Sequence, residues 1–321
     1  MIKHPGTDHY GYLLVHFVEA PNAHGERVYF SLSEGDDPHR WYRLNGGAPV
    51  LESSLGTTGV RDPYIVRGTD EFFLFATDLR VWGSDATWDG FVRHGSRSIV
   101  VWRSEDLVEW SEPWLAEVAP PEAGMAWAPE ATFDAETGTY SVYWSSHLYT
   151  SDDPDHRDDS YSRVLIAKTR DFREFSSSEV LIDLGRSVID TTIVQHAGRT
   201  YRFSKDDSRT ETSLKLFQEE GSSLIATDYR VTASKIADDF FDDVEGPLIF
   251  WDHARETWNL WVDQYSRQPQ GYIPLTSDSL EQPHWAPVPP SDFRLPPNTK
   301  HGVVLPLQDD EWHRLTAAYK R

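Results

Sequence analysis

Cysteine is absent from this 321-residue chain, and methionine occurs only twice. No disulfide framework, thiolate nucleophile or thiolate metal site is therefore available. Basic residues are scarce: 30 Lys and Arg stand against 52 Asp and Glu, a formal charge of -22. That balance argues against nucleic acid and anionic membranes as partners. Long apolar runs are missing too, which excludes a hydrophobic membrane helix. The first residues, MIKHPGTDHYGYLLVHF, show no basic segment followed by an apolar one and a small-residue cleavage site. A cytoplasmic protein is the expectation. Sustained helical periodicity is also wanting, apart from single turns expected in connectors such as WVDQYSRQPQG.

Aromatic residues are plentiful, with 13 Trp, 14 Tyr and 15 Phe. Most are expected in a core between sheets, and a surplus near a cleft would present flat apolar faces to sugar rings. Strand patterns dominate. YGYLLVHFV, ERVYFSLS, EFFLFAT, TYSVYWSS, SRVLIAKT, RTYRFSKD and TWNLWVDQY are β-rich runs bounded by turn residues.

A pattern of acid or His, short strand, polar turn and second strand returns five times. It opens at Asp62, Glu130, Asp190, Glu245 and His301, at intervals of 55 to 68 residues. The last copy is HGVVLPLQDDEWHRLTAAY. A second recurrence places an aromatic after polar turn residues, at Trp41, Trp110, Phe175, Phe240 and Trp285. These aromatics are expected to pack the outer part of each blade. Regular repeats over the whole length predict a radial all-β fold, a five-bladed β-propeller forming one domain over 1–321. The N-terminal strands and the last copy would join one sheet. A two-domain β-sandwich accounts for the strands but not for the spacing.

The motifs GVRDPYI, WAPEATFD, SVIDTTIV, EGPLIF and HGVVLPL resemble glycoside hydrolase family 43 in order and approximate spacing. The resemblance runs from about Gly59 to Leu307 and implies an inverting glycosidase on a five-bladed propeller. It makes Asp62 the general base, Asp190 the carboxylate that tunes the acid and orients the sugar, and Glu245 the general acid. An inverting pair leaves room for water, with its carboxyls about 6.5–9.5 Å apart. The chain departs from the family in reading Asp-Thr-Thr at Asp190, where relatives often have Asp-Pro. Taken singly, Asp62 or Asp190 is equally a turn-capping residue.

Glu130 is expected to bind substrate or shape the site, with a base–acid pair of Glu130 and Glu245 as the rival assignment. His301 either contacts the sugar, reaches a central ion through water, or is structural. The resemblance allows a Ca²⁺ or Na⁺ ion near the axis, although no loop motif indicates one, and no cofactor is required. Trp127, beside WAPE, is the first candidate for a sugar-facing aromatic, followed by Trp82 and Trp88. Lys205 reads first as solvent-exposed, and otherwise as a group that binds a hydroxyl or balances the acids. Arg61 is expected to point away from the pocket by strand alternation.

Insertions at 78–98 and 147–160 would wall the pocket and favour exo action. A neutral carbohydrate is the expected partner, and nothing in the sequence speaks to oligomeric state. An α-L-arabinofuranosidase is the first expectation, with β-D-galactofuranosidase or β-D-xylosidase as alternatives. A non-catalytic carbohydrate-binding propeller is the rival of another class. A mannoside phosphorylase would need a compact basic phosphate pocket, which the sequence does not show.

Overall fold

The computed structural model describes residues 9–19 and 24–319. The first eight residues, part of the N-terminal stretch read above for a leader, lie outside the described residues. The N-terminal strands are β1 (His9–Val18), β2 (Tyr29–Glu34) and β3 (Asp37–Arg43). Four complete blades follow. The first holds β4 (Val60–Arg67), β5 (Phe72–Asp78), β6 (Ser98–Ser104) and β7 (Trp114–Glu117). The second holds β8 (Trp127–Asp134), β9 (Thr139–His147), β10 (Ser162–Thr169) and β11 (Glu179–Ile182). The third holds β12 (Val188–His196), β13 (Arg199–Asp206), β14 (Leu216–Gly221) and β15 (Arg230–Ala233). The fourth holds β16 (Val244–Asp252), β17 (Thr257–Gln264), β18 (Gly271–Ser277) and β19 (Ala286–Pro287). Finally β20 (Thr299–Gln308) pairs with β1, in register at Leu14↔Val304, and completes a fifth sheet in the order β20-β1-β2-β3.

The inner strands β4, β8, β12, β16 and β20 pack on one another in a closed ring. The architecture is a five-bladed β-propeller. Its packing explains why the short central strands are apolar at successive positions. Every residue of β5 is buried. Phe72, Leu74 and Ala76 enter the gap shared with the terminal blade, whereas Phe73 and Phe75 enter the gap shared with the β8 blade. On β1, Leu13 and Val15 face one gap and Tyr12 and Leu14 the other. A blade is buried on both faces, so its central strands read as continuous hydrophobic stretches. Each gap is filled by its own apolar cluster. Four of the five outermost strands are two to four residues long and partly exposed, which limits edge-to-edge pairing.

Every inner strand carries a bulge near its start. Register slips lie between Arg61 and Tyr64, Trp127 and Glu130, Ile189 and Thr192, and Glu245 and Leu248, and in the β1–β20 pairing between His16 and Val18. On the first four strands one residue adopts a left-handed conformation: Asp62 (φ 49°), Ala128 (φ 46°), Asp190 (φ 51°) and Gly246 (φ 51°). Proline follows three of these, at Pro63, Pro129 and Pro247. Proline has no N–H to waste at a bulge, where the ladder is already broken. At Asp190 the following Thr191 instead ties its hydroxyl to Ser204, 2.8 Å away.

The bulges correct the equivalence of the repeat heads. Asp62 and Asp190 occupy the bulge position itself. Glu245 precedes it by one residue and Glu130 follows it by two.

Further corrections concern elements. The second half of the fifth copy is α2 (Asp309–Ala318), not a strand. β20 already has β1 as its partner, and Gln308 with Glu311 forms a capping box that starts the helix. Leu315 then seats in the apolar cluster beside β20. A second helix, α1 (Trp88–His94), fills part of the 78–98 insertion. The WVDQYSRQPQG connector contains no helical turn. Trp110 and Phe175 bridge back to Ser104 and Thr169, and Trp41 and Trp285 also pack against apolar clusters. Phe240 does not: it is 44% exposed, and Phe241 packs in its place.

Candidate active site

The bulges turn side chains at the strand starts toward one cluster around the axis. Asp62 Oδ2 accepts a hydrogen bond from the Thr77 hydroxyl at 3.0 Å, and its Oδ1 lies 3.4 Å from His301 Nδ1. Thr77 is fully buried and itself accepts from the Ala128 amide at 2.8 Å. With that lone pair occupied, the hydroxyl proton is directed at Asp62. Burial pushes the Asp62 carboxyl up, but His301, Arg61 and Thr77 more than offset this and hold it below its ordinary value.

His301 is the central cation. Burial disfavours its charge, yet Asp62, Asp190 and Glu130 outweigh burial and raise it to about 9. Its backbone amide donates to Asp263 Oδ2 at 3.2 Å, and Asp263 Oδ1 accepts from Lys300 Nζ at 2.9 Å. Its ring lies against Gly246, where a Cβ would stand 2.7 Å from Cγ. Glycine is thus required at position 246 for both room and left-handed backbone.

Asp190 and Glu245 titrate the other way from Asp62. Asp190 Oδ2 accepts from the Gly246 amide at 3.0 Å, linking two blades. Burial, then the charge of Asp62, raises Asp190 above its ordinary value. Burial, then the charge of Asp190, raises Glu245, against the pull of Lys205, Lys300 and Arg61. One cluster therefore holds one carboxyl lowered, Asp62, and two raised, Asp190 and Glu245.

Lys205 is not solvent-exposed. Its side chain is 4% exposed and Nζ donates to Tyr265 Oη at 2.6 Å, with Glu245 Oε2 at 3.5 Å. Asp207 and Asp243 each lie 3.6 Å from the same ammonium. It balances the acids rather than presenting a free donor to a sugar. Arg61 is also buried, paired with Glu26 at 3.1 Å and Glu19 at 3.3 Å. The bulge after it breaks simple alternation, and its charge is felt by Asp62 and Glu245.

Glu130 is buried between blades. Tyr143 Oη donates to its Oε2 at 3.1 Å. Burial, with a contribution from Asp190, raises it to about 8, against the pull of His301, Thr192 and Tyr143. This neutral, enclosed carboxyl is suited to joining strands, not to taking a proton from water.

The aromatic candidates divide. Trp88 on α1 meets Trp127 edge-on at 6.1 Å, and the Arg61 guanidinium lies 5.8 Å from the Trp88 ring. Trp88 is 55% exposed. Trp82 stacks instead on His24 at 5.5 Å and on Arg80 at 5.2 Å. The two insertions support each other: Arg93 Nη1 donates to the carbonyls of His156 and Asp158, each at 2.8 Å.

Thr77, Asp263 and Lys300 were missed in the sequence. Asp263 carried a readable signal, since an acid inside the buried run TWNLWVDQ demands a partner. Thr77 and Lys300 carried none. Side chains that would hold a Ca²⁺ or Na⁺ ion directly do not gather at the axis. His301 already supplies a cation facing Asp62 and Asp190, and no group of three metal-binding side chains occurs among the described residues.

A family model described as a probable glycosyl hydrolase domain, related to glycoside hydrolase family 43, matches residues 8–313. The chain belongs to this family. It is 34% identical over 211 residues to an α-L-arabinofuranosidase of Bifidobacterium longum subsp. longum, a match covering 61% of this chain and 20% of that protein. It spans only about a fifth of that relative's length. Among solved structures, the Penicillium chrysogenum α-L-arabinanase complexed with arabinobiose superposes with a TM-score of 0.53 at 14% identity, covering 87% of this chain and 77% of that one. A Coprinopsis cinerea α-L-arabinofuranosidase catalytic domain of family 62 gives 0.52 at 13% identity, covering 78% and 75%. These likenesses concern the fold.

Proposed function

We propose that this protein is an inverting, exo-acting α-L-arabinofuranosidase acting on small arabinose-containing oligosaccharides or glycosides. The observation that carries the reading is the split among its clustered carboxyls, with Asp62 held down and Glu245 held up. Glu245 gives its proton to the glycosidic oxygen as the bond from the anomeric carbon breaks and its electron pair passes to that oxygen. Asp62 takes a proton from water as the water oxygen bonds to the opposite face of that carbon. Asp190 favours protonated Glu245 and stabilises positive charge developing on the sugar ring.

Exo action is supported by the wall of α1 and the 147–160 segment, pinned together through Arg93. The arabinose preference is supported by the Bifidobacterium relative. β-D-Galactofuranosides and β-D-xylosides differ from arabinofuranosides in ring size or one hydroxymethyl group, and they are the alternative outcomes of the test.

A panel of aryl arabinofuranosides, galactofuranosides and xylopyranosides, with products followed by NMR, tests both sugar and stereochemistry. Turnover of the arabinofuranoside with inversion is expected. Retention at the cleaved centre sinks the mechanism. Full activity in Asp62→Asn and Glu245→Gln sinks the assignment, and no turnover on any substrate leaves a carbohydrate-binding propeller.

A further inference from the structure

Lys205 presents a puzzle if Glu245 is the acid. A general acid must keep its proton at working pH, yet an ammonium stands 3.5 Å from its Oε2. The charge is held in a fixed place. Lys205 is near the end of β13, in register with Ile189 on β12 and Leu216 on β14, and its side chain is 4% exposed. Three further groups share the ammonium: Tyr265 Oη at 2.6 Å, and Asp207 and Asp243 at 3.6 Å each.

The other charges around Glu245 are already committed. Lys300 on β20 is bonded to Asp263 on β17, and Arg61 on β4 is paired with Glu26 and Glu19. Asp190 on β12 and Asp263 add negative charge that favours protonated Glu245, and Tyr265 faces it from beyond β17. Among the described residues, Lys205 is the cation that forms an ion pair with Glu245.

We propose that Lys205 is a positioning residue that sets the proton affinity of Glu245 and stabilises the carboxylate left when its proton passes to the leaving oxygen. The proposal rests on Glu245 being the acid. Burial and Asp190 raise the proton affinity of Glu245, and Lys205 limits the rise. Its charge is most favourable after proton transfer, when the neighbouring carboxyl has become an anion. That is stabilisation of the state being formed. Asp207, Asp243 and Tyr265 divide the charge so that it does not strip the proton in advance.

The test is a ¹³C-carboxyl NMR titration of glutamate-labelled protein, with the Glu245 signal identified by its loss in Glu245→Gln. Lys205→Met should raise the Glu245 midpoint by about one pH unit or more. Lys205→Arg, which keeps the charge, should leave it near the wild-type value. Asp243→Asn should move it the other way, because less of the ammonium's charge is then neutralised. The Asp243 side chain is 41% exposed, so this variant keeps the test open if Lys205→Met does not fold. A midpoint unmoved or lowered in Lys205→Met, or unmoved or raised in Asp243→Asn, overturns the proposal. In parallel, the alkaline limb of kcat/KM on any aryl glycoside turned over should follow the NMR midpoint. A shifted midpoint without turnover refutes the proposed activity while leaving the Lys205–Glu245 coupling standing.

Discussion

The Thr77 hydroxyl lies 3.0 Å from Asp62 Oδ2 and donates to it, while the Ala128 amide of the next blade holds that hydroxyl in place from 2.8 Å. The proposed base is thus oriented from two blades at once. Thr77→Val keeps the shape and removes the donor. Loss of a hydrogen bond to a charged group costs about 1.5–3 kcal/mol, so kcat/KM should fall roughly ten- to a hundredfold. The carboxylate form of Asp62 is destabilised, its pKa rises, and the acidic limb of the pH profile should move upward. Thr77→Ser should restore both. A fall in kcat/KM with an unmoved limb would argue for mere loss of packing.

Gly246→Ala forces a Cβ to within 2.7 Å of the His301 ring at a φ of 51°. Left-handed backbone alone costs a non-glycine residue about 1–2 kcal/mol, before the clash is added. Urea denaturation should show a loss of roughly 2 kcal/mol or more. Activity should fall as well, because relief of the clash displaces His301 from Asp62.

Stability should decline as pH rises from neutral to 9. His301 is raised from 6.5 to about 9, so its contribution is complete below 6.5 and is lost as pH rises through about 9. Glu130 is raised from 4.5 to about 8. The unfolded chain ionises this carboxyl above 4.5 while the folded chain keeps its proton, so destabilisation grows up to about 8. Both groups act with the same sign. Glu130→Gln keeps the shape without the ionisation and should flatten the curve between pH 5 and 8, gaining roughly 1 kcal/mol or more at the upper end. Thermal melts across that range check it, and an unchanged slope would show that Glu130 does not titrate in this way.

Trp88→Ala should act on binding. The ring is 55% exposed and meets Trp127 by its edge, so its removal leaves no buried cavity. KM should rise about tenfold with kcat within a factor of about two, and the melting temperature should hold, if a sugar ring lies on that face. Trp82→Ala, which removes a ring stacked on His24, should leave KM near the wild-type value.

Much of the fold was legible because each blade repeats the same burial problem. RTYRFSKD and TWNLWVDQY were recognised as strands and became β13 and β17, as runs packed on both faces must be. The fifth copy misled because DDEWHRLTAAY follows an inner strand like its predecessors. What decides its structure is that β1, nearly three hundred residues earlier, already occupies the neighbouring place. The clustering of acids at strand starts was legible, but their unequal offsets were not. A bulge inserts one residue without altering the hydrophobic pattern, and only the pairing register reveals it. Lys205 looked exposed because FSKDD is polar. Its burial follows from Glu245, Asp243 and Tyr265, all supplied by the next blade.

His301 rides on β20, the strand that closes the ring against β1. The segment that fastens the propeller therefore also delivers its central positive charge. Without β20 the edge of β1 would lack its partner and Asp62 and Asp190 would face no imidazolium, so a single strand closes the shape and compensates its centre together.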